Sequence, residues 1–187
     1  MVTVSIIYFS AAGHTAKMAE AVAKGAASVA DIKTNALAIS GDDIVKGRYK
    51  NEKVMSALDA SDVIVFGSPT FMGGPAAQFK AFADASGGRW YGQKWRDKVA
   101  AGFTVSGALS GDKFSTLQYF NTLAMQHGMI WVGLGELPGQ RPNGVNRLGS
   151  WIGAMAVAGL EDATPNQEDL LTGEVLGKRV ATFTMKK

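Results

Sequence analysis

VSIIYFSAAGHT, residues 4–15, is the stretch from which the rest of the chain is read. Val4, Ile6, Ile7, Tyr8 and Phe9 make a nearly continuous apolar run of strand length. Such a run suits a strand covered on both faces, as in a parallel sheet. It stops at Ser10, Ala11, Ala12, Gly13, His14 and Thr15. A helical pattern follows, with Met18, Ala19, Val22, Ala26 and Val29 on one side and Lys17, Glu20 and Lys24 on the other. A buried strand, a small-residue turn and a helix N-terminus together make an anion site. The first amides of the helix have no partner within it, and the helix dipole adds positive potential there.

Three families of phosphate loop can be told apart here. A Walker A loop needs a Lys after its second glycine, and none follows Gly13. The dinucleotide fingerprint needs three glycines, and this turn has one. The remaining pattern, S-x-x-G-x-T, resembles the loop with which flavodoxins and their relatives hold the terminal phosphate of FMN.

Beyond residue 30 the chain alternates between strand and helix patterns. Strands are expected at 32–39, 62–67, 98–105 and 129–132, and helices at 52–59, 113–127 and from Thr164-Pro165 onward. Residues 41–51 read as a polar loop. Five strands alternating with helices predict an α/β fold: a doubly wound, five-stranded parallel sheet with helices on both faces. The 187 residues suit one domain spanning 1–187, and no linker divides them.

In such a sheet the ligand lies beyond the carboxyl ends of the strands. Three loops there deserve inspection. The first is residues 10–15. The second holds Pro69, Thr70, Phe71, Met72 and Gly73, with an exposed Phe-Met pair, and Gly74-Pro75 then opens a helix. The third is Ser106, Gly107, Ala108, Leu109, Ser110 and Gly111, rich in backbone donors. The three fit the parts of a flavin mononucleotide: phosphate, ring face and pyrimidine edge.

Several motifs in order then carry a specific resemblance. Gly67-Ser68-Pro69-Thr70 with Gly73, then Phe79 and Asp84 with Gly87-Gly88-Arg89-Trp90, resembles the G-[ST]-P-T-x-x-G…G-G-x-W segment of WrbA-like NAD(P)H:quinone oxidoreductases. Ser106-Gly107, Thr122-Leu123-Ala124 and His127-Gly128-Met129 continue the match in register. The resemblance implies a flavodoxin-like sheet of strand order 2-1-3-4-5. It implies FMN as cofactor, NAD(P)H as electron donor, a quinone-like acceptor and a homodimer or homotetramer. It also implies membership of the broader NAD(P)H-dependent FMN reductase group. No side chain is then needed for acid–base catalysis, because the flavin carries the chemistry. Within that group the chain differs at Phe71, where Arg is usual, at Ala12, where an aromatic is usual, and at Ala108 and Leu109, where Thr and Gly are common. Gln126 and His127 both fit the flavin-facing place.

Two readings stand for several residues. His14 either donates toward the phosphate or caps the helix. His127 either faces substrate or caps helix carbonyls. Trp90 either walls the substrate pocket or is buried by packing or by a partner subunit, and Trp90, Tyr91 and Trp95 together suggest an aromatic cluster covered by another copy.

Composition narrows the function classes. The absence of cysteine removes disulfides and thiolate chemistry, and two distant histidines give no metal motif. The net charge of +3 is spread along the chain, without the basic blocks of a nucleic-acid binder. The longest apolar run, residues 151–160, is half a membrane span, and no signal-peptide pattern precedes residue 4, so a cytoplasmic protein is expected. A receiver domain needs acidic strand ends where Phe9-Ser10 and Gly67-Ser68 stand. A flavodoxin-type electron carrier, or a flavin-binding protein without turnover, is the alternative. Such carriers are usually acidic, unlike a chain of pI 9.1.

Overall fold

The apolar runs pair into one sheet because each is covered on both sides. In the computed structural model, which describes residues 1–139 and 143–186, the elements begin with β1 (Val2–Tyr8), α1 (His14–Ala27) and β2 (Ile32–Ala38). Next come β3 (Ile44–Val45), β4 (Arg48–Tyr49), α2 (Glu52–Asp59), β5 (Val63–Phe71), β6 (Gly74–Pro75), α3 (Ala77–Ala85) and α4 (Gly87–Tyr91). The chain continues with β7 (Val99–Ser106), α5 (Lys113–Gln126), β8 (Ile130–Trp131), β9 (Ala154–Val157) and α6 (Gln167–Lys186).

The main sheet runs β2-β1-β5-β7-β8 with all neighbours parallel. Counting these five strands in chain order gives 2-1-3-4-5, the expected flavodoxin-like topology. The two faces divide the apolar runs residue by residue. Val4, Ile6, Val63 and Val65 join a core under α1 and α6 that contains Met18, Val22, Leu176 and Val180. Ile7, Ile64 and Phe66 join a second core under α3 and α5, with Phe79, Phe82, Leu117 and Phe120. Side chains on both faces are therefore mostly apolar, with Ser5, Ser68 and Thr104 as buried polar exceptions, which is why the strands read as nearly continuous runs.

Helices α1 and α6 touch through glycine. A Cβ on Gly25 would stand 1.8 Å from the Glu174 carbonyl oxygen, and one on Gly177 1.9 Å from that of Val22. Only a bare Cα allows this approach.

Several expectations are corrected. The fifth strand is split: β8 pairs with Val99 and Ala100 of β7, while β9 pairs with residues 103–106 farther along it. The apolar run at 151–160, read only for its length, supplies this second piece. The third strand runs on through Phe71 rather than ending at Gly67, and Pro69 and Thr70 belong to it. It turns at Met72 (φ 47°) and Gly73 (φ 76°) into β6, a two-residue hairpin of the type I′ pattern. Gly74 and Pro75 thus lie in a strand, and the next helix opens at Ala77. The polar loop at 41–51 contains the small β3–β4 hairpin. The last helix starts at Gln167, not at Thr164-Pro165, because Asn166 caps it: its Oδ1 accepts from the Asp169 amide at 2.9 Å. Trp90 and Tyr91 end a short helix, and Trp95 is fully buried with its Nε1 donating to Asp59 at 2.8 Å, so it is not part of an exposed cluster. Among the described residues no helix is long and apolar enough to cross a membrane.

Candidate flavin site

Strand β1 delivers the chain to the carboxyl edge of the sheet, where a cleft of about 270 Å³ opens. Its first wall is Ala11, Ala12, His14 and Thr15. Gly13 makes the turn into α1 with φ 91°, a left-handed conformation that glycine adopts without strain. A Cβ there would meet nothing within 4 Å, so the approach to the backbone is open. The Ser10 hydroxyl accepts from the Ala16 amide at 3.2 Å. Among the described residues, the amides of residues 11–15 meet no acceptor. The turn thus presents free amides beside the cleft, with Ser10 and Gly13 shaping it from behind.

Pro69, Thr70 and Phe71 form the second wall. The Thr70 hydroxyl belongs to a buried chain. Thr104 donates to the Ser68 carbonyl at 2.7 Å, so its oxygen takes the Thr70 proton at 2.9 Å, and Thr70 in turn accepts from Thr116 at 2.8 Å. Thr70 thus offers the cleft its backbone, not its O–H. Phe71 is half exposed and Met72, at the hairpin tip, is fully exposed, outside the cleft wall together with Gly73.

The third loop contributes less than expected. Ser106 and Gly107 line the cleft; Ala108, Leu109, Ser110 and Gly111 do not, and Leu109 points to solvent at 69 % exposure. The loop is held from inside by Lys113, which is fully buried and donates to Ser106 Oγ and to the Ala108 carbonyl, both at 2.7 Å. Burial pushes this ammonium below the usual lysine value, the Asp169 carboxylate opposes that shift and the Arg147 cation adds to it.

A fourth wall, Ala158, Gly159 and Leu160, was not foreseen. It follows β9. The Ala158 amide donates to the Ser106 carbonyl at 3.2 Å, and the Gly159 amide to Asp162 Oδ2 at 2.6 Å. The Asp162 carbonyl lies 2.6 Å from His14 Nε2. His14 therefore ties the first wall to the fourth. The carboxyl end of β9 is fixed by buried Asp169, which pairs with Arg147 Nε and Nη2 at 2.8 and 2.7 Å and accepts from the Val157 amide at 2.9 Å. A strand-length apolar run ending in Gly159, with an acid three residues on, was the available signal.

His127 and Trp90 do not line this cleft. His127 lies at the opposite edge of the sheet, where the neighbouring Gly128 carbonyl accepts from Asp97 just before β7. It is buried against Trp95 with ring centroids 4.4 Å apart. Ser86 Oγ gives its proton to the Ala83 carbonyl at 2.7 Å, so it accepts from His127 Nε2 at 2.9 Å. His127 Nδ1 is left unprotonated and without a partner, and burial lowers the pKa to about 4. A substrate cannot reach this ring, which corrects the substrate-facing reading of His127. Gln126 is the last residue of α5 and is likewise absent from the cleft wall. Trp90, on α4, is half exposed and stands near the same edge as His127: its helix is tied by Arg89 to Asp59.

A doubly wound parallel sheet thus carries free amides and an apolar slot at the switch point between β1 and β5, where open sheets of this kind bind their ligands. Residues 3–140 match the family NADPH-dependent FMN reductase, and the chain belongs to that family. FMN is its cofactor and NAD(P)H its electron donor. The chain is 39% identical over 184 residues to Flavodoxin FldP of Pseudomonas aeruginosa (strain UCBPP-PA14), covering 94% of this chain and 93% of that protein. It is 33% identical over 198 residues to an NAD(P)H dehydrogenase (quinone) of Geotalea daltonii (strain DSM 22248 / JCM 15807 / FRC-32), covering 98% and 97%. A solved flavodoxin, WrbA-like protein from Agrobacterium tumefaciens is similar over 100% of this chain and 99% of that one, at 41% identity and TM-score 0.79. The residues present fit FMN: free amides beside an unobstructed left-handed glycine suit a phosphate, and Pro69, Phe71 and Leu160 suit an apolar ring.

Proposed function

We propose that this protein passes two electrons, as a hydride, from NAD(P)H through FMN held in the cleft to a quinone-like acceptor. The observation that carries this reading is the meeting, in one cleft, of free amides at residues 11–15 with the apolar side chains of Phe71 and Leu160. Bound FMN would supply the two-electron chemistry of its ring. In this reading the amides of Ala11, Ala12, Gly13, His14 and Thr15 hold the phosphate. Pro69, Thr70 and Phe71 lie beside the ring, and Ser106 and Gly107 border its pyrimidine edge through the backbone. His14 keeps the fourth wall closed over the phosphate end. Phe71 and Met72, both exposed, keep the rim apolar, which favours a flat, uncharged acceptor over a charged one.

One cleft serving donor and acceptor in turn requires ping-pong kinetics. The test is anaerobic stopped-flow observation of the FMN-loaded protein. NADH or NADPH should bleach the flavin, and a quinone should restore it. If neither nucleotide reduces a flavin that dithionite does reduce, the reading fails.

A second reading, an electron carrier, is favoured by the 39% identity to a protein named Flavodoxin FldP. The net charge of +3 weighs against it, since acidic surfaces steer carriers to basic partners. We further propose one FMN-binding domain over residues 1–187, because a single sheet recruits strands from Val2 to Val157 and α6 closes on α1. Exposed Trp90 and Tyr91 support a homodimer or homotetramer.

A further inference from the structure

Lys113 is fully buried, yet no carboxylate among the described residues lies within ion-pair distance of it. Its two hydrogen bonds go to neutral oxygens, Ser106 Oγ and the Ala108 carbonyl. Asp169, whose charge acts on it, is already bound by both Arg147 nitrogens and by the Val157 amide. An ammonium has three donors, so one is left over. Burying an unpaired cation is costly, and clamping a loop does not require a charge. Ser106 belongs to the cleft wall, so the positive charge stands one hydroxyl behind it.

We propose that Lys113 sets the redox preference of the bound flavin, its buried positive charge behind Ser106 favouring the reduced, anionic ring over the oxidised, neutral one. This rests on the assignment of the cleft to FMN. Two electrons and one proton, supplied by the nicotinamide donor, add one net negative charge to the ring system. A fixed cation in a wall shielded from water attracts that charge more strongly than water-exposed cations do, and acts little on the neutral ring. Lys113 touches neither the flavin nor the reacting atoms in this account; it acts through Ser106 and through its field.

The test uses the full chain as wild type, Lys113→Gln and Lys113→Arg. Fluorescence titration gives the affinity for oxidised FMN. Anaerobic equilibration with a reference dye gives the midpoint potential, and the two together give the affinity for reduced FMN. Lys113→Gln should lower the ratio of reduced to oxidised affinity by about tenfold or more, a fall of about 30 mV for a two-electron couple. Lys113→Arg, which keeps the charge, should stay near wild type. A Lys113→Gln protein that weakens both affinities by one factor, or keeps its potential, overturns the proposal and leaves Lys113 as a loop clamp. Should that variant not fold, Lys113→Met, similar in volume and also uncharged, gives the same reading. Wild type that fails to bind FMN defeats the cleft assignment instead, before any potential is measured.

Discussion

His14 Nε2 lies 2.6 Å from the carbonyl oxygen of Asp162, joining residues 148 apart in the chain. The bond fastens the first turn of α1 to the loop that forms the fourth wall. His14→Ala should free that loop while leaving the cradle amides in place. Losing one such bond predicts about fivefold weaker FMN binding, read by flavin fluorescence titration. An unchanged affinity would show that the fourth wall closes without it.

Gly13 has φ 91° and open space where a Cβ would stand, so a substitution there strains the backbone rather than colliding with a neighbour. Valine, stiff and β-branched, is a poor fit to the left-handed region. Gly13→Val should weaken FMN binding by about tenfold or more, since the conformation costs about 1–2 kcal/mol for a residue with a Cβ. Titration should place Gly13→Ala between the two.

Phe71 is half exposed at the cleft rim. Phe71→Arg adds a cation facing an anionic nucleotide. At an exposed site this is worth up to about 1 kcal/mol, so reduction by subsaturating NADPH should rise by up to about fivefold. Stopped-flow rates at low and high salt check it: the gain should shrink as salt screens the charge.

His127 is neutral in the fold, with its pKa lowered to about 4 by burial. The unfolded chain takes up that proton near the ordinary value of about 6.5. Its contribution is therefore complete above about pH 6.5 and is lost as pH falls toward 4, amounting to about 3 kcal/mol over the whole span. Urea unfolding at about pH 7 and about pH 5 should show part of this loss, and His127→Phe should flatten that part of the profile.

Trp90 is 48 % and Tyr91 86 % exposed. If a second copy covers them, light scattering at micromolar concentration should give a dimer or tetramer, and Trp90→Ser with Tyr91→Ser should shift it toward the monomer. A wild-type monomer mass at that concentration would remove the assembly proposal.

The sheet was legible because its signals are local. Val63 to Phe66 is apolar at every position and Val4 to Ile7 at all but Ser5, as a strand covered on both faces needs. Counting such runs, with helical patterns between them, yields the five strands of a doubly wound sheet, and the resemblance supplied their order. The residues 10–15 cradle was legible for the same reason: a strand end, small residues and a helix start are neighbours in the chain, and their free amides follow from helix geometry.

What the sequence by itself determined was the layering of the sheet, the place of the free-amide turn at 10–15 and the cleft walls at Pro69 to Phe71 and at Ser106 and Gly107. What tertiary structure alone decided was everything made by contacts between distant segments. β9 has no identity until it pairs with β7, and with it come Ala158, Gly159, Leu160 and the bond from His14 to Asp162. Lys113, at a helix start, carries no sign of burial in the sequence until the fold turns it inward to Ser106. Trp95 and His127 read as exposed or substrate-facing until packing buries them together at the far edge. The physical reason is common to all four. A residue's periodicity records which face it presents, but whether that face is covered, and by what, depends on chain segments far away in sequence.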